Sequence, residues 1–288
     1  MLKPLVFTLL LAACAAGWAA TPKFRSAHVV VVDDTTGEVL LEKDSLTAAP
    51  IASLTKLMTA MVVLDAGQDM DEMLRVDAAD MDILRHSRGG LRVGALVPRQ
   101  TLLELALAVS DNHAAAALAR TYPGGPAAFT TALQRKIAAL GLANTILVEP
   151  TGLSAENHAS ALDMSKVLQA TQAYPLITEI TSQRTRSVMV NGRQRSVHNT
   201  NALVGRRGWD ILTSKTGYTT DAGRCLSMRL RVGDRTVSLV LIGALAESSR
   251  ALDVQRIRRW LDGEAATRAA EQAGQRASAA RLHSPPAA

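Results

Sequence analysis

The sequence is poor in cysteine, and this shortage limits both its stability and its chemistry. Cysteine occurs twice in 288 residues, at Cys14 and Cys225. Because Cys14 lies in a leader-like segment, where processing removes or lipidates it, Cys225 is left as a single thiol and no intramolecular disulfide is expected. Cys225 lies in a predicted strand, which favours an inert core residue over a catalytic thiol.

Aromatic residues are also scarce, at 3% of the chain, although the formal net charge is +6. Nucleic-acid-binding proteins combine clustered basic residues with aromatic stacking platforms. Here the arginines are spread along the chain, so no nucleic-acid partner is predicted. The charge fits either contact with an extracellular polyanion or a merely solvated surface.

The six histidines provide no sign of a metal site. None are spaced at i and i+4, and no His-Glu-x-x-His string occurs, so a zinc peptidase is not expected. The sequence predicts no bound metal and no cofactor.

The N-terminus resembles a secretory signal. The apolar run from Leu5 to Ala16 is too short to span a bilayer but suits a signal peptide, assigned to residues 1–20, and predicts export to the periplasm. Two processing sites remain open. Gly17-Trp18-Ala19 permits ordinary cleavage near Ala20, whereas Leu11-Ala12-Ala13-Cys14 resembles a lipoprotein site that would attach the protein to a membrane through Cys14.

Strand-like segments lie towards both ends of the chain and helix-like segments lie between them. The predicted strands cover residues 27–33, 38–42, 211–218, 224–232 and 236–245, with a further hairpin around 188–192. The predicted helices cover residues 54–66, 101–109, 112–120, 125–140, 161–172 and 249–261.

This order predicts an α/β (α+β) protein, in which an antiparallel sheet is flanked by helices and a mainly helical lobe is inserted between its strands. After the signal, residues 21–66 form a sheet lobe with the first helix, 67–205 the helical lobe, and 206–262 the completed sheet lobe. Residues 263–288 have little apolar periodicity and are predicted to be a mobile tail.

The first chemical motif is Ser53-Leu54-Thr55-Lys56, at the start of a predicted helix. Helical spacing places Lys56 one turn after Ser53 on the same face, so the amine can reach the hydroxyl. This pairing suits a serine nucleophile and its general base, provided that burial and nearby positive charge lower the lysine pKa. Alone, the string also fits a helix cap beside a solvated lysine.

Two further motifs supply polar groups that can converge on the same serine. In Ser110-Asp111-Asn112, between two predicted helices, Ser110 can relay a proton and Asn112 can bind a carbonyl and hold Lys56, while Asp111 caps the next helix.

The third motif, Lys215-Thr216-Gly217, lies in a predicted strand. The cation and hydroxyl can grip a carboxylate, and the glycine leaves room for substrate beside the backbone. The amides of Ser53 and Tyr218 are candidate oxyanion donors.

Together the three strings resemble those of low-molecular-mass penicillin-binding proteins. The stretch Ile51-Ala52-Ser53-Leu54-Thr55-Lys56-Leu57-Met58-Thr59-Ala60 is close to that of the D-alanyl-D-alanine endopeptidases, and the likeness extends over about residues 26–262.

The resemblance implies the β-lactamase/DD-peptidase-like fold, no cofactor, and a serine DD-peptidase that acts on peptidoglycan stem peptides and is acylated by β-lactams. Its catalytic residues would be Ser53, Lys56 and Ser110. Its substrate-binding residues would be Asn112, Lys215, Thr216, Gly217 and Tyr218. The expected activity is hydrolysis of D-alanyl-meso-diaminopimelate cross-links in wall remodelling.

Three other functions remain open at this stage. A D-alanyl-D-alanine carboxypeptidase shares the first chemical step. A class A β-lactamase would need a glutamate to position water, and Glu149 is the available candidate, although it lacks the expected Glu-x-x-Leu-Asn setting. A wall-binding or β-lactam-sequestering module would keep the fold without turnover.

Overall fold

Segments from both ends of the chain form one five-stranded antiparallel sheet, with strand order β10-β11-β12-β1-β2. We describe residues 22–81 and 90–282 of a computed structural model. The predicted signal peptide and the lipidation of Cys14 lie outside these residues. The strands are β1 His28–Asp33, β2 Val39–Lys43, β3 Ala49–Pro50, β4 Met73–Arg75, β5 Leu96–Pro98, β6 Thr145–Ile146, β7 His158–Ala159, β8 Thr185–Val190, β9 Arg193–His198, β10 Asp210–Thr219, β11 Gly223–Val232 and β12 Arg235–Ala244.

The helices lie mostly between β2 and β10. They are α1 Thr55–Asp65, α2 Arg99–Ala108, α3 Asn112–Arg120, α4 Gly125–Ala139, α5 Ala161–Ala170, α6 Pro175–Ser182 and α7 Glu247–Leu282. The predicted α/β class with an inserted helical region is confirmed. The sequence prediction missed α6, which begins at Pro175, a residue that fits the first turn of a helix.

Both faces of the large sheet are covered, which explains the continuous valine run in β1. Val30 and Val32 belong to the core shared with the central helices, whereas Val29 and Val31 belong to the core under α7. A strand buried on both faces has apolar residues at consecutive positions rather than at alternate ones.

Helix α1 lies inside the helical layer. Its residues from Thr55 to Val63 are buried, and it packs against α2, α3, α4, α5 and α6. The sequence division grouped this helix with the sheet lobe. Its burial among the other helices fixes the position of its N-terminal turn, where Ser53 lies.

The last helix is longer than predicted. Its apolar residues Val254, Ile257 and Leu261 pack on the sheet, but the helix continues past 261 to Leu282, where a mobile tail was expected. Residues 263–282 are rich in alanine, arginine, glutamine and glutamate, which favour helix even without an apolar face. In the described part of the chain, no helix combines the length and apolarity needed to cross a bilayer.

Candidate active site

Ser53 lies in a 3₁₀ turn, Ala52–Leu54, directly before α1. The preceding Ala52 has a φ of +47°, a conformation that residues other than glycine rarely adopt. The Thr55 hydroxyl donates to the Ala52 carbonyl oxygen at 2.9 Å and holds the turn. The turn places the half-buried Ser53 in the wall of a cavity.

Lys56 is buried directly beneath this serine and is 1% exposed. Its Nζ lies 2.8 Å from Ser53 Oγ, 2.6 Å from Asn112 Oδ1 and 2.6 Å from the Thr151 carbonyl oxygen. Three oxygens from three separate segments therefore fix the amine beside the hydroxyl. The i, i+3 spacing in the sequence pointed to the first of these contacts.

Ser110 and Asn112 reach the cavity from the junction between α2 and α3. Ser110 has a φ of +63°, which turns the chain sharply, and Asn112 is the first residue of α3. Between them, Asp111 accepts from the Ala114 amide at 3.0 Å and from the Gly90 amide at 2.6 Å. Asp111 thus caps the helix, and its neighbours face Ser53 across the cavity.

Strand β10 contributes Lys215 and Thr216. Lys215 is 1% exposed, and its Nζ donates to the Thr216 carbonyl oxygen at 3.0 Å. Burial, together with the nearby charge of Lys56, holds the pKa of Lys215 well below its usual value. The Thr216 and Thr200 hydroxyl oxygens are 2.7 Å apart, so Thr200 orients the hydroxyl that lines the cavity.

Gly217 lets β10 approach the nucleophile turn. A Cβ at this position would lie 3.0 Å from the Ile51 carbonyl oxygen and 3.1 Å from the Ser53 amide nitrogen. The next residue, Tyr218, is 54% exposed, and the Arg224 guanidinium lies 3.9 Å from the centre of its ring. These two residues are cross-strand partners at the edge of the cavity.

The cavity has a volume of about 360 Å³, and the three predicted motifs all contribute to its lining. Lys56 and Lys215 lie buried behind this surface. The lining residues are Ser53, Ser110, Asn112, Thr200, Thr216, Gly217, Tyr218, Arg224, Glu247 and Arg250.

The sequence analysis missed four of these residues: Thr200, Arg224, Glu247 and Arg250. Arg224 could have been found by pairing the two predicted strands opposite Tyr218. Thr200, Glu247 and Arg250 come from a loop and from the first turn of α7, and no local pattern links them to Ser53.

Glu149 does not line the cavity but organises the loop behind it. Its carboxylate accepts from the amides of Thr151 and Gly152 at 2.7 and 2.6 Å and from the Asn157 side-chain amide at 2.9 Å. It thereby positions the Thr151 carbonyl that accepts from Lys56. Among the described residues, no cluster of three or more histidine, cysteine or acidic side chains could hold a metal ion.

The sequence is similar to that of known cell-wall peptidases. A family described as D-alanyl-D-alanine carboxypeptidase matches residues 16–246. A D-alanyl-D-alanine endopeptidase from Pseudomonas aeruginosa is 40% identical, over 86% of this chain and 80% of the relative. One from Escherichia coli is 39% identical, over 86% and 81%.

Solved structures support the same fold. The Streptomyces K15 DD-transpeptidase superimposes with a TM-score of 0.78 at 23% identity, covering 84% of this chain and 99% of that one. A D-alanyl-D-alanine carboxypeptidase from Mycobacterium tuberculosis gives a TM-score of 0.73 at 26% identity, covering 81% and 88%. The large sheet and the helices on its faces are therefore a known architecture.

Proposed function

The chain belongs to the D-alanyl-D-alanine carboxypeptidase family of serine peptidases, and from this premise we propose that it is a D-alanyl-D-alanine endopeptidase that cleaves peptidoglycan cross-links. The hydrogen bond between Lys56 and Ser53 in a cavity that also contains Ser110 and Thr216 carries the chemical part of the proposal. The two endopeptidase relatives at about 40% identity support the choice of a cross-link, rather than a terminal D-alanine, as the substrate.

Acylation begins with attack of Ser53 Oγ on the carbonyl carbon of the D-alanine on the acyl side of the scissile bond. Lys56 accepts the hydroxyl proton, because its amine is already within hydrogen-bonding distance of that oxygen. The amides of Ser53 and Tyr218 donate to the oxyanion that forms. Gly217 makes this arrangement feasible, since it allows β10 to lie against the Ser53 turn.

Breakdown of the tetrahedral intermediate requires a proton on the departing amine. Ser110 lies in the cavity wall with Ser53 and relays the proton from Lys56 to that nitrogen. The C–N bond then breaks and leaves an ester on Ser53. Water hydrolyses the ester, with Lys56 as the base, and restores the free serine.

The departing group carries a carboxylate next to the scissile nitrogen, whether it is D-alanine or the D-centre of diaminopimelate. The Thr216 hydroxyl binds this carboxylate, Arg250 supplies positive charge beside it, and the buried Lys215 amine lies behind it and donates to the Thr216 carbonyl oxygen. Asn112 binds the substrate carbonyl on the acyl side and keeps Lys56 in place. Tyr218 forms the exposed edge of this site.

The same chemistry predicts covalent inhibition by β-lactams, whose ring carbonyl and carboxylate imitate the substrate. We place the reaction in the periplasm, where the relatives' substrate lies, after export directed by residues 1–20. Attachment through a lipidated Cys14 is the alternative to ordinary cleavage.

Two alternatives within the fold have different support. A carboxypeptidase is the second candidate, because relatives so named match at 30% identity, such as one from Bacillus subtilis of which the chain covers 61%. The class A β-lactamase reading is weakened because the Glu149 carboxylate is occupied by loop amides rather than directed into the cavity.

The deciding experiment incubates the purified protein with cross-linked muropeptide dimers and with monomeric pentapeptides, followed by mass spectrometry. Conversion of dimers to monomers supports the endopeptidase, whereas trimming of the terminal D-alanine alone supports the carboxypeptidase. Ser53→Ala should abolish either activity. Ser187→Ala, which alters an exposed serine of β8, should retain it.

If neither substrate changes while the protein binds the wall or a β-lactam normally, the protein is a sequestering module and the proposal is wrong. Rapid, repeated hydrolysis of nitrocefin would instead favour the β-lactamase.

A further inference from the structure

A strongly basic groove lies at the end of β10 distant from the catalytic cavity. It has a volume of about 550 Å³ and is lined by Arg206, Arg207, Trp209, Asp210, Arg231 and Arg258, among others. We call it the arginine groove. A larger cavity of about 680 Å³ adjoins it and shares the walls formed by Trp209, Asp210 and Arg231.

The charges of the groove are only partly neutralised. Arg231 pairs with Asp210 at 3.2 Å, and Arg258 pairs with Asp262 at 2.9 Å. Arg206 and Arg207 are exposed, and within residues 22–81 and 90–282 neither forms an ion pair with a carboxylate. Two guanidinium groups therefore face solvent from one loop and are available to an anionic ligand.

Contacts made by Arg258 and Trp209 fix the shape of the arginine groove. Arg258 donates to the Gly208 carbonyl oxygen at 2.8 Å and lies 5.4 Å from the centre of the Trp209 ring. The Trp209 ring also packs against the apolar core beneath α7. Val204, which precedes these residues, is fully buried, so the loop that carries Arg206 and Arg207 is anchored on both sides, which favours a preformed binding surface.

The groove and the catalytic cavity lie along the same strand. Asp210 is the first residue of β10, and Thr216 follows six positions later. At a rise of about 3.3 Å per residue, the two sites are roughly 20 Å apart.

The direction along β10 identifies which part of the substrate points towards the groove. In the proposed mechanism, the attacked carbonyl lies beside the Tyr218 amide, and the carboxylate beside the departing nitrogen lies at the Thr216 hydroxyl. The departing strand therefore extends from Tyr218 past Thr216 towards Asp210. For a carboxypeptidase the departing group ends at Thr216, because it is a single D-alanine. For an endopeptidase it continues as a whole stem peptide.

We propose that the arginine groove binds carboxylates of the departing stem peptide in cross-linked peptidoglycan, with Arg206 and Arg207 as the main contacts. The inference rests on the proposed endopeptidase function and extends it to a second contact on the leaving strand. The departing stem is attached through the diaminopimelate side chain, and that side chain with the two residues beyond it reaches roughly 12 Å from Thr216. The long arginine side chains span the remaining distance.

Binding is tested directly with the double variant Arg206→Gln/Arg207→Gln on a Ser53→Ala background, which prevents turnover. The matched control, Arg193→Gln/Arg195→Gln, removes the same charge from the exposed hairpin strand β9. In sedimentation with intact cross-linked sacculi, we expect the groove variant to bind about tenfold more weakly than the Ser53→Ala parent. The control should bind within twofold of the parent.

Two binding results would overturn the proposal. Unchanged binding by the groove variant excludes the site, and an equal loss in the control shows that only overall charge matters. A third binding measurement uses a DNA oligonucleotide as an unrelated polyanion. If the groove variant loses DNA binding but not sacculus binding, the groove serves a different anion and the proposal is again wrong.

Kinetics provide the second readout in the Ser53 enzyme. The groove variant should cleave muropeptide dimers with kcat/KM reduced about tenfold, yet should trim pentapeptides and react with fluorescent penicillin at the wild-type rate. Normal acylation also shows that the variant is folded. Equal kcat/KM for dimers in variant and wild type would contradict the proposal. If the wild type cleaves no dimers, the proposed function fails, and the sacculus-binding result still decides the groove.

Discussion

Gly152 packs directly against Ala52, the residue before the nucleophile. An added Cβ on Gly152 would lie 1.9 Å from the Ala52 carbonyl oxygen and 2.9 Å from Thr55 Oγ1, and Gly152 has a φ of +82°. The loop that positions the Thr151 carbonyl for Lys56 therefore also fixes the turn that carries Ser53. We expect Gly152→Ala to lower the free energy of unfolding by about 3 kcal/mol or more, because a clash adds to backbone strain. Acylation by fluorescent penicillin should also be slowed.

Substitution of a second glycine, Gly37, separates the cost of backbone strain from the cost of a steric clash. Gly37 has a φ of +73° but no heavy atom within 4 Å of an added Cβ. Gly37→Ala should therefore cost only about 1 kcal/mol and leave acylation unchanged. Denaturant unfolding and acylation rates measured on both variants test the prediction, and equal effects of the two substitutions would contradict it.

Glu149→Gln tests whether Glu149 supports the loop beside Lys56 or positions a water molecule for hydrolysis of the acyl-enzyme. The carboxylate accepts from several donors in its loop, and a neutral amide cannot accept all of them at both oxygens. We expect the penicillin acylation rate and the hydrolysis of the acyl-enzyme to fall together, each about tenfold, because Glu149 holds the loop that positions Lys56 and Lys56 is the base in both steps. Stopped-flow acylation and the decay of labelled protein give the two rates. A selective loss of deacylation would support the β-lactamase mechanism instead.

Much of this architecture follows from local patterns in the chain. The Asn191-Gly192 pair, both at positive φ, predicted the β8–β9 hairpin, and α3 begins and ends at the predicted residues. These features are local, so neighbouring residues suffice to specify them. The three catalytic motifs could be recognised in the sequence for the same reason, because the functional residues of each motif lie within a few positions of one another.

The missed features depend on tertiary contacts. Arg250 reaches the cavity only because α7 packs beside β11, and Thr200 does so only because its loop runs along β10. The role of Glu149 was also hidden, because its partners are mainly backbone amides, which leave no pattern of side chains. The end of α7 was misplaced for the opposite reason, since helix propensity extends it beyond the last apolar contact at Leu261.

Cys225 is expected to be unreactive in the folded protein. It is fully buried in β11, and burial raises the pKa of its thiol to about 11, despite opposing contributions from the Gly243 backbone and the Arg250 charge. At pH 8 only about 0.1% of the thiol is ionised, so alkylation should be very slow. Iodoacetamide labelling followed by mass spectrometry should modify Cys225 only after denaturation. Rapid labelling of native protein would show that the strand opens.

Lys215 should make stability increase with pH. Its pKa is lowered in the native state by burial and by Lys56, whereas an unfolded lysine binds its proton up to a pH of about 10.4. Between these two pKa values the unfolded chain holds more protons, so raising the pH favours folding by at most about 1.4 kcal/mol per pH unit.

The variant Lys215→Met removes this contribution. Between pH 7.5 and 9.5, the free energy of unfolding should rise in the wild type relative to the variant, as measured by urea titration at each pH. Lys23→Met, at an exposed position, should follow the wild-type curve. Parallel curves for the wild type and Lys215→Met would show that the buried amine keeps its proton through this range, and the prediction would be wrong.

Arg250 should distinguish substrates by the charge of their leaving group. Its side chain is 11% exposed, donates to the Cys225 carbonyl oxygen at 2.9 Å, pairs with Glu247, and lines the cavity beside Thr216. A charge-assisted hydrogen bond to the substrate carboxylate contributes about 2 kcal/mol, so Arg250→Gln should reduce kcat/KM for a D-alanyl-D-alanine peptide about 30-fold. For the C-terminal amide of the same peptide, kcat/KM should fall less than threefold.

Arg250→Lys, which keeps the charge, is the control. Its kcat/KM for the peptide with a free C-terminal carboxylate should lie between the values of the wild type and Arg250→Gln. An equal loss on acid and amide would mean that Arg250 only supports the junction of α7 with β11, and the carboxylate would then depend on Thr216 and Lys215.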